Sequence, residues 1–257
     1  MSKVVIIGAG PGDPELITLK GKKWLEKADV VIYAGSLLNP EILKYAKPDA
    51  ELYDSAAMDR EEVFKMMADS VKAGKLVTRV HDGDPSFFGA IQEQMDFLDK
   101  EKIKYLRIPG VSCLQGGAAS LNRELTLPNI SQTVIVTRPE GRTPVPEAES
   151  IRELAKHQAT MVIFLGIQHI DNVIEELGKG GYPEDTPVSV VYKATWPEQK
   201  IVKGTLSDIV EKVKAAGITK TALIFVGKVF NPLAYDYSKL YDPAFTHGFR
   251  KGEENVH

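Results

Sequence analysis

The chain has 257 residues, of which 43% are hydrophobic and 26% charged, enough to bury a core without staples and too ordinary in composition for global disorder. A formal net charge of -3 with scattered Lys and Arg leaves no basic field for nucleic acid. The one cysteine, Cys113, excludes an internal disulfide and a thiolate metal cluster.

The predicted elements alternate between short β-branched runs and segments of helical period. Met1-Ser2-Lys3 runs straight into an apolar strand, Val4–Ile7, without a signal-like segment. No apolar run approaches the roughly 18 residues of a bilayer span. A soluble, cytoplasmic protein is expected. A helix over Leu19–Lys27 follows, capped by Thr18. Asp29–Tyr33 reads as a strand, Glu41–Tyr45 as a short helix, and Arg60–Lys72 as a helix with Val63, Met66, Met67 and Val71 on one face. Next come strand Leu76–Val80, helix Ala90–Lys100 and strand Tyr105–Ile108, then a bridging segment around Leu114–Asn129.

The pattern restarts with strand Thr133–Thr137, helix Ala148–Lys156, strand Met161–Leu165 and helix Asp171–Leu177. Strands Val188–Tyr192 and Lys200–Lys203, helix Leu206–Ala215 and strand Ala222–Val226 complete it. The tail from Asn231 has no period and is expected to be ordered only by packing on the body. Two α/β domains are expected, residues 1–113 and 114–257, with a mostly parallel first sheet, a mixed second sheet and a ligand cleft between them.

Gly8-Ala9-Gly10-Pro11-Gly12-Asp13-Pro14 lies between a strand and a helix, like a dinucleotide-binding fingerprint. Asp13 stands where the third glycine would fall, and Pro11 and Pro14 remove N–H donors that a pyrophosphate would need. The alternative is a tight turn that uses glycine for its conformation. His81-Asp82-Gly83-Asp84-Pro85-Ser86-Phe87-Phe88-Gly89 follows another strand, where open α/β sheets collect ligands. Asp84 suits a ribose hydroxyl or an organic cation there, or is a solvated turn carboxylate. His81 reads as polar lining or a lone metal ligand, and Cys113 lacks the His partner of a nucleophile.

Together these blocks, with Leu19-Lys20-Gly21, Pro109-Gly110-Val111-Ser112, Gln132–Arg138, Ile163–Gly166 and Thr221–Ile224, resemble the tetrapyrrole (class III) methyltransferases along essentially the whole chain. Tyr33–Leu37, Glu124–Pro128, Ser238–Tyr241 and His247–Arg250 are similar to the branch that methylates C-11 of precorrin-4 or cobalt-precorrin-4 in cobalamin (corrin) biosynthesis. The resemblance implies S-adenosyl-L-methionine as cofactor, a tetrapyrrole substrate and a homodimer; charge and hydropathy lead to the expectation of no nucleic-acid or membrane partner. It implies that Pro11, Asp82, Gly83, Asp84, Phe87, Ser112, Cys113, Leu165, Ala194, Thr221 and Ala222 surround the donor.

Ala34 and Ser55 stand where uroporphyrinogen-methylating relatives carry an acid and a lysine. Leu165 and Cys113 replace a more usual Met and a more usual Ser or Ala. A sulfonium-bound methyl is already activated, so orientation is the main contribution required of the protein and no general base or metal is assigned. Arg79, Arg107, Arg138, Arg142 and Lys193 are candidates to hold the acceptor's carboxylates, against simple solvation. Another ring-position enzyme of the same pathway, the related diphthamide methyltransferase and a dinucleotide-binding module remain as alternatives.

Overall fold

A computed structural model describes residues 3–252. The chain divides into two compact units, one running up to Leu121 and including Val191–Lys200, the other formed by Asn122–Val190 with the residues from Ile201 onward.

The first unit contains β1 (Lys3–Gly8), α1 (Leu19–Leu25), β2 (Val30–Tyr33), β3 (Glu51–Asp54), α2 (Arg60–Lys72), β4 (Leu76–His81), α3 (Gln92–Lys100), β5 (Tyr105–Ile108) and α4 (Cys113–Ser120). Its five strands are all parallel in the order β3-β2-β4-β1-β5. Helices on both faces explain why β1 and β2 read as unbroken apolar runs. Val4, Ile6, Val30, Ile32 and Val77 pack with Val63, Phe64 and Met67 of α2 and Leu98 of α3. Val5, Ile7, Val31, Val80 and Ile108 pack with Leu25 of α1.

The caps behave as their chemistry predicts. Thr18 accepts from Gly21 N at 3.1 Å, and Asp59 and Glu62 close a reciprocal capping box at the start of α2.

Two elements escape the periodicity argument. β3 is an edge strand whose Glu51 and Leu52 are exposed, so it shows no buried alternation. α4 carries Gly116-Gly117, which lowers helix propensity. A Cβ at Gly116 would sit 2.7 Å from Pro11 Cβ, so tertiary packing overrides the propensity.

The second unit contains β6 (Val134–Thr137), α5 (Ile151–Ala155), β7 (Thr160–Ile163), α6 (Ile170–Lys179), α7 (Ile209–Ala215) and β10 (Ala222–Val226), with β8 (Pro187–Tyr192) up to Val190 and β9 (Lys200–Thr205) from Ile201. The strand order is β6-β7-β10-β8-β9. β6 and β7 are parallel and β7 and β10 antiparallel, so this sheet is mixed, as expected. Beyond Phe230 the chain makes its own local order. Arg250 Nη2 donates to the carbonyls of Leu240, Asp242 and Phe245 at 3.2, 2.5 and 3.4 Å, so one guanidinium supplies structure where no periodicity could.

Candidate functional site

In the first unit, β1, β4 and β5 end side by side, and their exits approach backbone to backbone. Gly10 N donates to Gly83 O at 3.2 Å and Gly83 N to Gly10 O at 2.8 Å. A Cβ on Gly110 would lie 2.1 Å from Gly83 O, and one on Gly8 2.6 Å from the same atom. Asp13 is not a failed nucleotide glycine. Its Oδ1 accepts from Glu15 N at 2.9 Å and caps the short turn Pro14–Leu16.

Asp84 is anchored on both oxygens, by Ser86 N at 2.8 Å and Gly110 N at 2.8 Å, with Arg107 Nη2 3.9 Å away. Burial pushes its carboxyl up, but the bonds from Ser86 and Gly110 and the Arg107 charge outweigh that and hold it below the usual range. Asp84 therefore staples β4's exit loop to β5's exit loop. Asp82 differs: burial raises its pKa, and among the described residues no cation pairs with it.

Ser112 is buried and caps α4 through Leu114 N at 3.2 Å. Burial and the nearby Asp82 charge push the Cys113 thiol up to about 12, which keeps it protonated and non-nucleophilic. Gly83 lies against Cys113, and Phe87 is 40% exposed beside them in the chain loop.

Ala194 belongs to the segment Val191–Lys200, which adheres to the Gly8–Pro14 loop. Trp196 Nε1 donates to Pro11 O at 3.1 Å, and Asp13 N donates to Thr195 Oγ1 at 2.9 Å. Gln199 Oε1 accepts from Thr195 N at 2.7 Å and from Ser120 Oγ at 2.6 Å, tying the segment to α4. Asn39 Nδ2 donates to Gly12 O at 2.8 Å from the other side. Sequence reasoning missed Asn39, Thr195, Trp196 and Gln199. Their partners are up to 185 residues away, so no local pattern announces them. Lys193 sits 4.4 Å over the Trp196 ring and 3.7 Å from Glu198.

In the second unit, Leu165 follows β7 and Thr221–Ala222 opens β10. β7 and β10 are antiparallel, with Ile163 paired to Ile224; Leu165 lies two residues beyond the end of β7 and Thr221 immediately before β10. Arg138 is occupied with its own loop, donating to the carbonyls of Pro139, Thr143 and Pro144 at 3.1, 3.1 and 3.0 Å. Arg142 is exposed in that loop.

Six non-glycine residues in these loops, Phe88, Ala90, Leu165, Lys193, Thr195 and Thr221, adopt left-handed φ values between 46° and 67°. Each costs about 1 kcal/mol or more, and such strain gathers at functional sites.

The polar groups of the first unit suit a cationic small molecule. Asp82 is a half-buried carboxyl without a paired cation among the described residues, and a sulfonium is an organic cation of the kind that would stabilise its ionised form. No group of three or more His, Cys, Asp or Glu able to hold a metal occurs among the described residues.

The family model for tetrapyrrole (corrin/porphyrin) methylases matches residues 3–210. The cobalt-precorrin-4 C(11)-methyltransferase of Methanocaldococcus jannaschii is 61% identical over 98% of this chain and 97% of its own length. The uroporphyrinogen-III C-methyltransferase of the same organism is 37% identical over 90% of this chain and 98% of its own. Among solved structures, a cobalt precorrin-4 methyltransferase of cobalamin biosynthesis superposes with a TM-score of 0.87 and 48% identity, covering 90% of this chain and 96% of that one. A Thermus thermophilus uroporphyrin-III C-methyltransferase complexed with S-adenosylhomocysteine gives a TM-score of 0.73 at 27% identity, covering 88% and 98%. With the family model spanning most of the chain and full-length relatives this similar, the chain belongs to the tetrapyrrole methylase family.

Proposed function

We propose that the chain transfers the methyl group of S-adenosylmethionine to C-11 of cobalt-precorrin-4 or precorrin-4 during cobalamin biosynthesis. One observation carries the ring position: within a single organism, the C-11 enzyme is 61% identical to this chain and the uroporphyrinogen enzyme 37%. Two substrate branches sampled in one genome separate function from species distance. Ala34 and Ser55 add a local reason, since small side chains leave room for an already methylated ring.

When bound, the donor supplies a methyl activated by its sulfonium. Pro11, Asp82, Gly83, Asp84, Phe87, Ser112, Cys113 and Ala194 hold it in the first unit. Asp82 offsets the positive charge, and the Asp84 staple fixes the loop backbone around it. The assignment of Leu165, Thr221 and Ala222 rests on family resemblance and, for Leu165 and Thr221, on their left-handed backbone. No side chain is assigned as a base, because attack by an electron-rich ring carbon needs in-line orientation above all, a contribution of up to roughly 7–11 kcal/mol in ideal cases. A homodimer and a cytoplasmic location belong to the same reading.

Incubation with S-adenosylmethionine and enzymatically prepared cobalt-precorrin-4 tests it, with mass spectrometry to count methyl groups and carbon NMR to place them. A new methyl at C-11 is expected. Methylation of uroporphyrinogen III instead would overturn the ring position.

A further inference from the structure

Strand β4 changes character along its length. Side chains alternate between faces of a strand, so Val77, Arg79 and His81 share one face, the face on which Val77 packs with α2 and α3. The apolar row thus ends in two basic side chains, only 7% and 5% exposed. Both line a pocket of 290 Å³ within the first unit, together with Ala34, Ser55, Phe88 and Gln94.

Among the described residues, neither basic group pairs with a carboxylate of the protein. Arg79 Nε donates to Gln94 Oε1 at 3.3 Å and Nη1 to Ile32 O at 3.3 Å, both neutral acceptors. Among the described residues no carboxylate forms an ion pair with it. Burial lowers its pKa to about 10, with Asp54 opposing from a distance, so the guanidinium stays charged at neutral pH. His81 Nε2 is buried with no hydrogen-bond partner. Burial and the Arg79 charge lower its pKa to about 3 against an opposing contact with Gln94, whose Oε1 already accepts from Arg79 Nε; the imidazole is therefore neutral, and when protonated on Nε2 it is a donor.

The acids around the same pocket are accounted for. Asp59 caps α2 through Glu62 N at 2.9 Å, and Glu93 lies 3.5 Å from Arg60. Asp82, the third acid of the lining, is assigned to the donor's sulfonium in the proposed function. The uncompensated charge is that of Arg79. A buried cation and an orphaned donor side by side are costly alone, and a carboxylate satisfies both.

We propose that Arg79 and His81 form an anion subsite that seats one carboxylate arm, acetate or propionate, of the acceptor ring. The pocket volume suits an arm rather than a macrocycle, and Ala34 and Ser55 keep it open. The proposal rests on the tetrapyrrole substrate argued above and adds which side chains grip it.

The test is fluorescence titration of the full chain with uroporphyrin III, a stable ring bearing acetate and propionate arms, alongside calorimetry with S-adenosylhomocysteine. Arg79→Met is expected to weaken porphyrin binding roughly ten- to hundred-fold, the loss of a charge-assisted bond. His81→Phe is expected to weaken it several-fold, and His81→Gln, which restores a donor, to recover most of that loss. S-adenosylhomocysteine affinity should not move in any of them. Should Arg79→Met fail to fold by circular dichroism, the contrast between His81→Phe and His81→Gln decides. Unchanged porphyrin affinity in a folded Arg79→Met or His81→Phe variant, or no porphyrin binding by the unmodified protein, overturns the subsite. Methylation of cobalt-precorrin-4 is scored separately, so failure of the C-11 reading and failure of the subsite remain distinguishable.

Discussion

The two sheets present their loop residues by different rules. In the first unit every strand is parallel, so β1, β4 and β5 all send their C-terminal ends to one edge. Gly8–Pro14, Asp82–Phe87 and Pro109–Cys113 are therefore neighbours for a topological reason. In the second unit β7 and β10 are antiparallel, so Leu165 leaves the end of one strand while Thr221 enters the start of the other. A parallel sheet concentrates function at one kind of strand end, whereas a mixed sheet draws it from both. The first edge is also more heavily cross-linked: glycine backbones touch, Asp84 staples two loops and Gln199 ties a third.

That contrast can be broken most sharply with one methyl group. Gly110→Ala places a Cβ 2.1 Å from Gly83 O, a backbone atom that cannot swing aside. A loss of about 3 kcal/mol or more is expected in urea unfolding. Gly141→Ala in the second unit meets nothing within 4 Å and should change stability by less than about 0.5 kcal/mol. Similar losses at both positions would remove the claim that the first edge is the tightly built one.

The next effect is acid sensitivity. The folded pKa of His81, about 3, lies below its ordinary value of 6.5. The unfolded chain therefore binds more protons between these pH values. The contribution is fully present above about pH 6.5 and is lost progressively as pH falls towards 3, at roughly 1.4 kcal/mol per unit. From pH 6.5 to 5 the expected loss is about 2 kcal/mol. His81→Gln should flatten that slope, and an unchanged slope would mean the imidazole is not held neutral by its burial.

Legibility in the sequence followed the same division. Long periodic segments such as Arg60–Lys72 and the strand Ala222–Val226 agree with the structure, because burial on one helix face or in a covered sheet leaves a pattern. β3 was invisible because an exposed edge buries nothing regularly. α4 was hidden by its glycines, which serve contact with Pro11 rather than propensity. Among site residues, those in Gly-, Pro- and Asp-rich loops after strands could be found from local chemistry. His81 was readable only as polar lining or a lone metal ligand, since its orphaned nitrogen and its place beside Arg79 require the strand's face and the helices above it. Thr195, Trp196 and Gln199 act on residues far away in sequence and leave no local mark.

Gln199 sharpens the comparison further. Its Oε1 accepts from Thr195 N and Ser120 Oγ, so Gln199→Leu strands a backbone donor and a hydroxyl. A loss of about 1.5 kcal/mol is expected from two bonds whose groups retain partial access to water. If Gln199 positions the Pro11 loop, S-adenosylhomocysteine affinity should also fall, and Gln199→Glu should recover part of it by preserving the acceptor. A stability loss with unchanged ligand affinity would reduce the segment to scaffolding.

The smallest expected effect tests the second unit on its own terms. Leu165 sits at φ 54° and is 61% exposed. Holding a leucine in the left-handed region costs about 1 kcal/mol, and an exposed side chain returns little of that through burial. Glycine relieves the strain but also loosens the unfolded chain, which takes back roughly 0.5–1 kcal/mol. Leu165→Gly should therefore leave stability within about 0.5 kcal/mol of the parent, or slightly above it, in a thermal or urea melt. If the leucine is retained to contact the donor, its affinity for S-adenosylhomocysteine should drop in the same variant. The pairing of undiminished stability with weaker binding is the signature of strain kept for function. A loss of more than about 2 kcal/mol would instead mean that Leu165 supports the fold, and the end of β7 would then be a structural corner rather than part of the site.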